Sequence, residues 1–208
     1  MRSTGIQVFL IVLLAVMVFP CGSVSRSDMF KGTCLHIDED KLQDGDLIFR
    51  RGVSLASHFV LSVDSTSVFS HVGIVRVRDG HAHVIHILPE EDRSEKDEVR
   101  MDPVGIFLSP DNASGYAVYR MSGNRREIPE RAADMALTLL KSRVQYDYDL
   151  DCTTRKKMYC TELVWSVYRM SGIDLIDGRL EKAGFPFYNG EYIMISSLLK
   201  SRWLDKIQ

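Results

Sequence analysis

HVGIVRVRDGHAHVIHIL, residues 71–88, constrains this chain more than any other stretch. Two runs rich in β-branched residues flank Asp79-Gly80, and β-branched side chains fit a pleated, half-buried surface. Asp-Gly is a strong signal for a two-residue hairpin turn, because both central positions of that turn need positive φ. An antiparallel hairpin is therefore expected, and a hairpin with apolar faces needs further layers to cover it. LQDGDLIFRRG supplies a turn at Asp44-Gly45 and a short strand from Asp46 to Arg50, and GYAVYRM (Gly115–Met121) supplies a third strand. VSLASHFVLSVDSTSVF is mixed, a helix with its loop. PERAADMALTLLKSR opens on Pro129 and repeats Ala133, Ala136, Leu137 and Leu140 at helical spacing. A second helix is expected from about Cys160 to Met170, stopped at Ser171-Gly172. The charge run EEDRSEKDEVR between strands reads as a solvated connection. These elements make one α+β domain.

The 208 residues are ordinary in composition, 45% hydrophobic and 26% charged, and suit a single domain with a sizeable core. A formal charge of −2 provides no electrostatic footprint for nucleic acid. Arg2 precedes an unbroken apolar run, Ile6–Phe19, too short to span a bilayer but suited to a signal-peptide core. Ser23 and Ser25 place small residues where signal peptidase reads, so residues 1–25 are expected to be a signal peptide and 26–208 the mature domain. Cys21 permits a rival reading as a lipid-attachment site, although Pro20 fits that motif poorly. Export to the periplasm or cell envelope follows, and it makes disulfides permissible. Cys34, Cys152 and Cys160 then remain, an odd number. Cys34 with Cys152 is the simplest pairing; all three reduced and buried is the alternative.

Cys160 stands at the head of TELVWSVYRM. Unsatisfied N–H groups at a helix start favour a thiolate, whereas a packed thiol is the plainer reading. A thiol nucleophile needs an imidazole to take its proton. His71 opens one strand of the hairpin and His86 lies in the other, where the two can be neighbours on one face as base and orienting residue. HAHVIH invites a metal, but strand parity puts His81 and His83 on one face and His86 on the other, so no metal and no cofactor is expected. No G-x-S-x-G elbow, G-x-x-x-x-G-K-[ST] loop or G-x-G-x-x-G stretch occurs.

GDLIF (Gly45–Phe49), SHVGIV (Ser70–Val75), VIHILPE (Val84–Glu90), QYDYDLD (Gln145–Asp151) and YCTELVW (Tyr159–Trp165) occur in this order. Together they resemble the permuted papain-like amidases of the YiiX/YaeF type, relatives of the NlpC cell-wall peptidases and of lecithin:retinol acyltransferase. The resemblance implies a circularly permuted papain-like fold, with a small antiparallel sheet or barrel packed on a cysteine-bearing helix. It implies Cys160 as nucleophile, His71 as base and His86 in the third polar position, often Glu in that family. Tyr146 and Tyr159 are candidates to line the substrate, the Cys160 N–H is a candidate oxyanion donor, and Asp46 reads as a turn residue. The implied activity is cysteine-dependent hydrolysis of a small amide or cell-wall peptide. Acyl transfer, a lipid-linked amide or ester substrate, and a non-catalytic binding module are the alternatives.

Overall fold

The computed structural model describes residues 35–89, 97–150, 152, 156–182 and 190–208. The expected signal peptide, Cys21, and the Cys34 half of the expected disulfide lie outside the described residues. All described residues belong to one compact unit, Gly32–Gln208. No helix among them is long and apolar enough to cross a membrane.

In chain order the strands are β1 (Leu47–Arg51), β2 (His71–Arg78), β3 (His81–His86), β4 (Arg100–Pro103), β5 (Gly115–Met121), β6 (Gln145–Tyr146), β7 (Lys157–Met158), β8 (Glu181–Lys182), β9 (Glu191–Tyr192) and β10 (Leu204–Lys206). The helices are α1 (Leu55–Val63), α2 (Val104–Phe107), α3 (Glu127–Lys141), α4 (Cys160–Met170) and α5 (Ile195–Leu199). Six strands form an antiparallel sheet in the order β10-β5-β1-β2-β3-β4. The sheet is open, with β10 and β4 at its edges, so of the two expected forms it is the sheet and not the barrel.

Alternation along the strands creates two apolar faces. Leu47, Phe49, Val72, Ile74 and Ile85 pack with α3 and α4 through Ala132, Ala136, Leu163 and Val167. Ile48, Val75, Val84 and Val118 face the other way, toward Val104 and Phe107 of α2. The hairpin, the third strand and the cysteine-bearing helix stand where the sequence pattern places them. Asp79 (φ 52°) and Gly80 (φ 79°) form the primed turn. Helix α4 stops at Gly172 (φ 104°), with the Ile173 N–H returning to the Tyr168 carbonyl at 3.0 Å. Helix α3 begins at Glu127, two residues before Pro129, because proline is tolerated in a first helical turn.

Two differences matter for the site. The charge run ends in a strand: Val99 and Met101 pack into the core while Arg100 and Asp102 point to the opposite face, and β4 pairs with β3. The segment QYDYDLD is also anchored, through a parallel ladder of β6 with β7 that leads directly into Cys160.

Gly73 sits on β2 between His71 and Val75. The β2–β3 register pairs Ile74 with Ile85, and continuing it places Gly73 opposite His86. A Cβ at position 73 would collide with Val84 Cγ1 and come within 3.0 Å of His86 Cβ. The missing side chain is what lets His86 lean across the sheet. Gly73→Ala is therefore expected to lower stability by about 1–3 kcal/mol, the usual cost of overpacking, and to displace the His86 ring. Urea unfolding of the variant is the check, and an unchanged midpoint would remove this role for Gly73.

Candidate active site

Cys160 is the first residue of α4, with Tyr159 in extended conformation just before it. The turn is held from both sides. The Tyr159 N–H donates to the Glu162 carboxylate at 3.4 Å, and the Thr161 hydroxyl donates to the Ile193 carbonyl. The Cys160 sulfur is approached by the backbone N–H groups of Val72, Thr161 and Cys160 itself, and by the field of Arg50, all of which favour the thiolate. Burial outweighs them and pushes the thiol up to about 11. The helix-terminus effect expected from the sequence is present, but desolvation wins, so the resting sulfur carries its proton at neutral pH. The residue as a whole is only half-buried, which leaves a route for a ligand.

The Val72 contact ties the sulfur to the strand residue that directly follows His71. From there a chain of hydrogen bonds crosses the sheet. His71 Nε2 lies 3.0 Å from His86 Nδ1, and His86 Nε2 lies 2.9 Å from Asp102 Oδ2. Both rings are buried, His71 at 3% exposure and His86 at 0%. Burial is the main cause that lowers both imidazoles, His71 well below its ordinary value and His86 to about 4. For Asp102, burial opposes ionisation, but the His86 bond and nearby cations prevail and hold the carboxyl below its ordinary value.

These protonation states assign the tautomers. An ionised Asp102 only accepts, so His86 Nε2 carries the hydrogen and Nδ1 keeps a lone pair. His71 Nε2 must then donate to that lone pair, and His71 Nδ1 is left as the acceptor. The relay leaves His71 neutral, with a lone pair on the ring nitrogen not used by His86.

The relay rests on a wall. Phe107 stacks edge-on against His86 at 4.9 Å and tilted against His71 at 5.6 Å between ring centroids. Arg50, across the sheet from His71 and 5% exposed, places its guanidinium 4.5 Å from the Phe107 centroid and donates to the Phe107 carbonyl at 2.7 Å. Arg100 lies 3.2 Å from Asp102 on the outer side.

Tyr146 and Tyr159 differ in placement. The Tyr146 phenol lies close enough to Cys160 that the two ionisations oppose each other, and burial raises the phenol further, so it keeps its proton. Tyr159 is buried, and its hydroxyl accepts the Ile193 N–H at 3.0 Å, which holds the segment before α5 against the start of α4. Asp46 is buried under Arg120, which donates to it at 2.8 and 2.7 Å, as befits a turn anchor. His81 is exposed and His83 half-buried, and no group of three or more His, Cys, Asp or Glu side chains among the described residues converges as a metal site.

Sequence reasoning missed Asp102, Arg50 and Phe107. Asp102 had one signal, the four-residue alternation V-R-M-D at the end of the charge run. Arg50 had another, a cation directly after the apolar run Leu47–Phe49. Phe107 had none, because its role depends on how α2 folds back under β2 and β3.

An open antiparallel sheet carrying two histidines, packed on a later helix that begins with a cysteine, defines a papain-like fold in permuted chain order. Residues 41–183 match the permuted papain-like amidase family, YaeF/YiiX, C92, and the chain belongs to that family. It is accordingly an amidase-type hydrolase. The solved structure of metalloprotein YiiX from Escherichia coli O157:H7 is similar, with a TM-score of 0.64 over 80% of this chain and 96% of that one. Identity between the two is 19%, so this likeness concerns the fold. No curated protein sequence matches the chain.

The two neutral imidazoles make stability depend on acid. His86 has an ordinary value of 6.5 and a folded one of about 4, so the unfolded chain binds more protons between those limits. Its contribution is fully present above pH 6.5 and is lost as pH falls toward 4, amounting to roughly 3 kcal/mol; His71 acts in the same direction. Urea unfolding from pH 7 down to 4 is expected to show this loss, and a His71→Gln, His86→Gln double variant is expected to lose less. Equal pH slopes for the two proteins would contradict it.

Proposed function

We propose that this protein is an exported cysteine amidohydrolase that cleaves a small amide or cell-wall peptide bond through an acyl-thioester on Cys160. The observation that carries the reading is the hydrogen-bond chain Asp102–His86–His71, which leaves a lone pair on the outer nitrogen of His71, with the sulfur at the neighbouring Val72 N–H. Export rests on the apolar run Ile6–Phe19 and the small residues before position 26.

The chemistry starts from a neutral pair. As the sulfur attacks the amide carbonyl, its proton passes to His71 Nδ1, and the imidazolium formed is stabilised through His86 by the Asp102 carboxylate. Charge developing on the carbonyl oxygen is met by N–H groups at the start of α4 and by the Tyr146 hydroxyl. Collapse breaks the C–N bond, and His71 returns the proton to the leaving amine. Water, deprotonated by the same nitrogen, then attacks the thioester, releasing the acid and regenerating the thiol. Tyr159 acts in this scheme by holding the helix start, through Ile193.

A thiol-directed acyl probe is expected to label Cys160, as mapped by mass spectrometry, and Cys160→Ala is expected to abolish turnover. Labelling of Cys152 or Cys34 instead, with unchanged turnover in Cys160→Ala, would return the chain to the binding-module reading. Product analysis with an added amine separates hydrolysis from acyl transfer.

Asp102→Asn tests the relay. An amide N–H facing His86 Nε2 reverses both tautomers and leaves His71 Nδ1 protonated, without a lone pair for the thiol. A fall in kcat/KM of about 10²–10⁴-fold is expected, with little change in thermal stability. Wild-type kcat/KM in this variant would exclude Asp102 from the relay.

A further inference from the structure

We propose that Arg50 is a positioning residue for Cys160 and the two imidazoles: a buried guanidinium, clamped on Phe107, that fixes the ring wall behind the relay and supplies the inner positive charge of the site. The inference rests on the amidohydrolase reading for its meaning in catalysis, but not for its test.

Three observations carry it. Arg50 follows an apolar run and is itself buried: Leu47, Ile48 and Phe49 are fully buried, and a charge in their company is costly unless it is held by specific partners. It is held, at 2.7 Å by the Phe107 carbonyl and at 4.5 Å by the Phe107 ring, the ring that also contacts His71 and His86. It stands directly opposite His71 in the β1–β2 register. One side chain thus braces the wall and faces the relay.

Among the described residues, the titratable and charged groups that feel it or share its effect are His71 on β2, His86 on β3, Asp102 and Arg100 on β4, and Cys160 on α4. Tyr116 on β5 is the partner on the other side, with its hydroxyl turned to the His36 carbonyl. The Arg50 field favours the anionic forms of Cys160 and Asp102 and disfavours imidazolium at His71 and His86. Arg100 shares the effect on the histidines and Asp102 but is more exposed, whereas the Arg50 effect extends to the sulfur. Arg50 thereby favours the thiolate form of Cys160 and keeps the resting imidazoles unprotonated.

Charge and packing leave opposite signatures at the thiol. Removing the charge raises the thiol pKa and slows its reaction at fixed pH. Loosening the wall admits water, relieves the burial that raises the thiol, and speeds the reaction. The experiment is the rate of Cys160 alkylation by iodoacetamide at pH 8.5, with the adduct assigned by peptide mapping. It needs no substrate, so it stands even if amide turnover is never found.

Arg50→Gln keeps a donor for the Phe107 carbonyl and removes the charge. Its alkylation is expected to be about threefold slower, because losing the charge lowers the thiolate fraction more than the accompanying gain in nucleophilicity restores. Arg50→Lys keeps the charge and is expected to stay within about twofold of wild type, a test that holds if the glutamine variant fails to fold. An unchanged or faster rate in Arg50→Gln, or a rate in Arg50→Lys slowed threefold or more, would overturn the assignment.

Discussion

A buried hydrogen-bond chain of two imidazoles and one carboxylate is the constraint around which this molecule is organised. In a dry interior, each unsatisfied polar atom costs on the order of 1–3 kcal/mol, so two buried histidines are tolerable only if their nitrogens have partners. His86 satisfies both of its nitrogens, with His71 and Asp102, and His71 satisfies one. The remaining nitrogen of His71 is the one that catalysis would use. Structural satisfaction and chemical readiness thus come from the same set of bonds: the carboxylate dictates the tautomer of the first ring, and that ring dictates the tautomer of the second.

Several features that look unrelated serve this chain. Gly73 lacks a side chain where His86 must pass, and β4 returns beside β3 so that Asp102 reaches His86 Nε2. Phe107 presents a face to both rings, with Arg50 behind it. On the opposite side of the sheet, α3 and α4 bury the larger apolar cluster, and α4 delivers Cys160 at the end where β2 begins. The sulfur lies beside the β2 backbone at Val72, so the helix start meets the strand start there.

Permutation explains why the chain order differs from that of papain-like enzymes within one fold. What the proposed chemistry requires is a helix start against the end of a sheet strand and a histidine-bearing hairpin. Whether the helix precedes or follows the hairpin alters only the connections. Here the hairpin comes first and the connection to the helix runs through β4, β5, α3 and the β6–β7 ladder. The similarity to YiiX of Escherichia coli, at 19% identity, fits a fold specified by pattern and packing more than by residue identity.

By itself the sequence determined the elements that local rules govern. Asp79-Gly80 sets the hairpin because few residue pairs accept two positive φ angles, and the β-branched runs around it pair because their faces alternate. The stop at Gly172 and the apolar stripe after Cys160 define α4, so the neighbourhood of His71 with His86 and the place of the thiol were both legible. Only the tertiary structure decided what depends on residues far apart in the chain. Asp102 sits in a four-residue strand at the end of a charge run, and nothing local shows that it meets His86. Arg50 and Phe107 are joined through α2, and the thiol is raised rather than lowered because the packing around Cys160 removes water that a helix terminus on its own would leave in place. Hydrogen bonds between distant strands, and the desolvation that packing imposes, are properties of the assembled sheet and have no signature in any single segment.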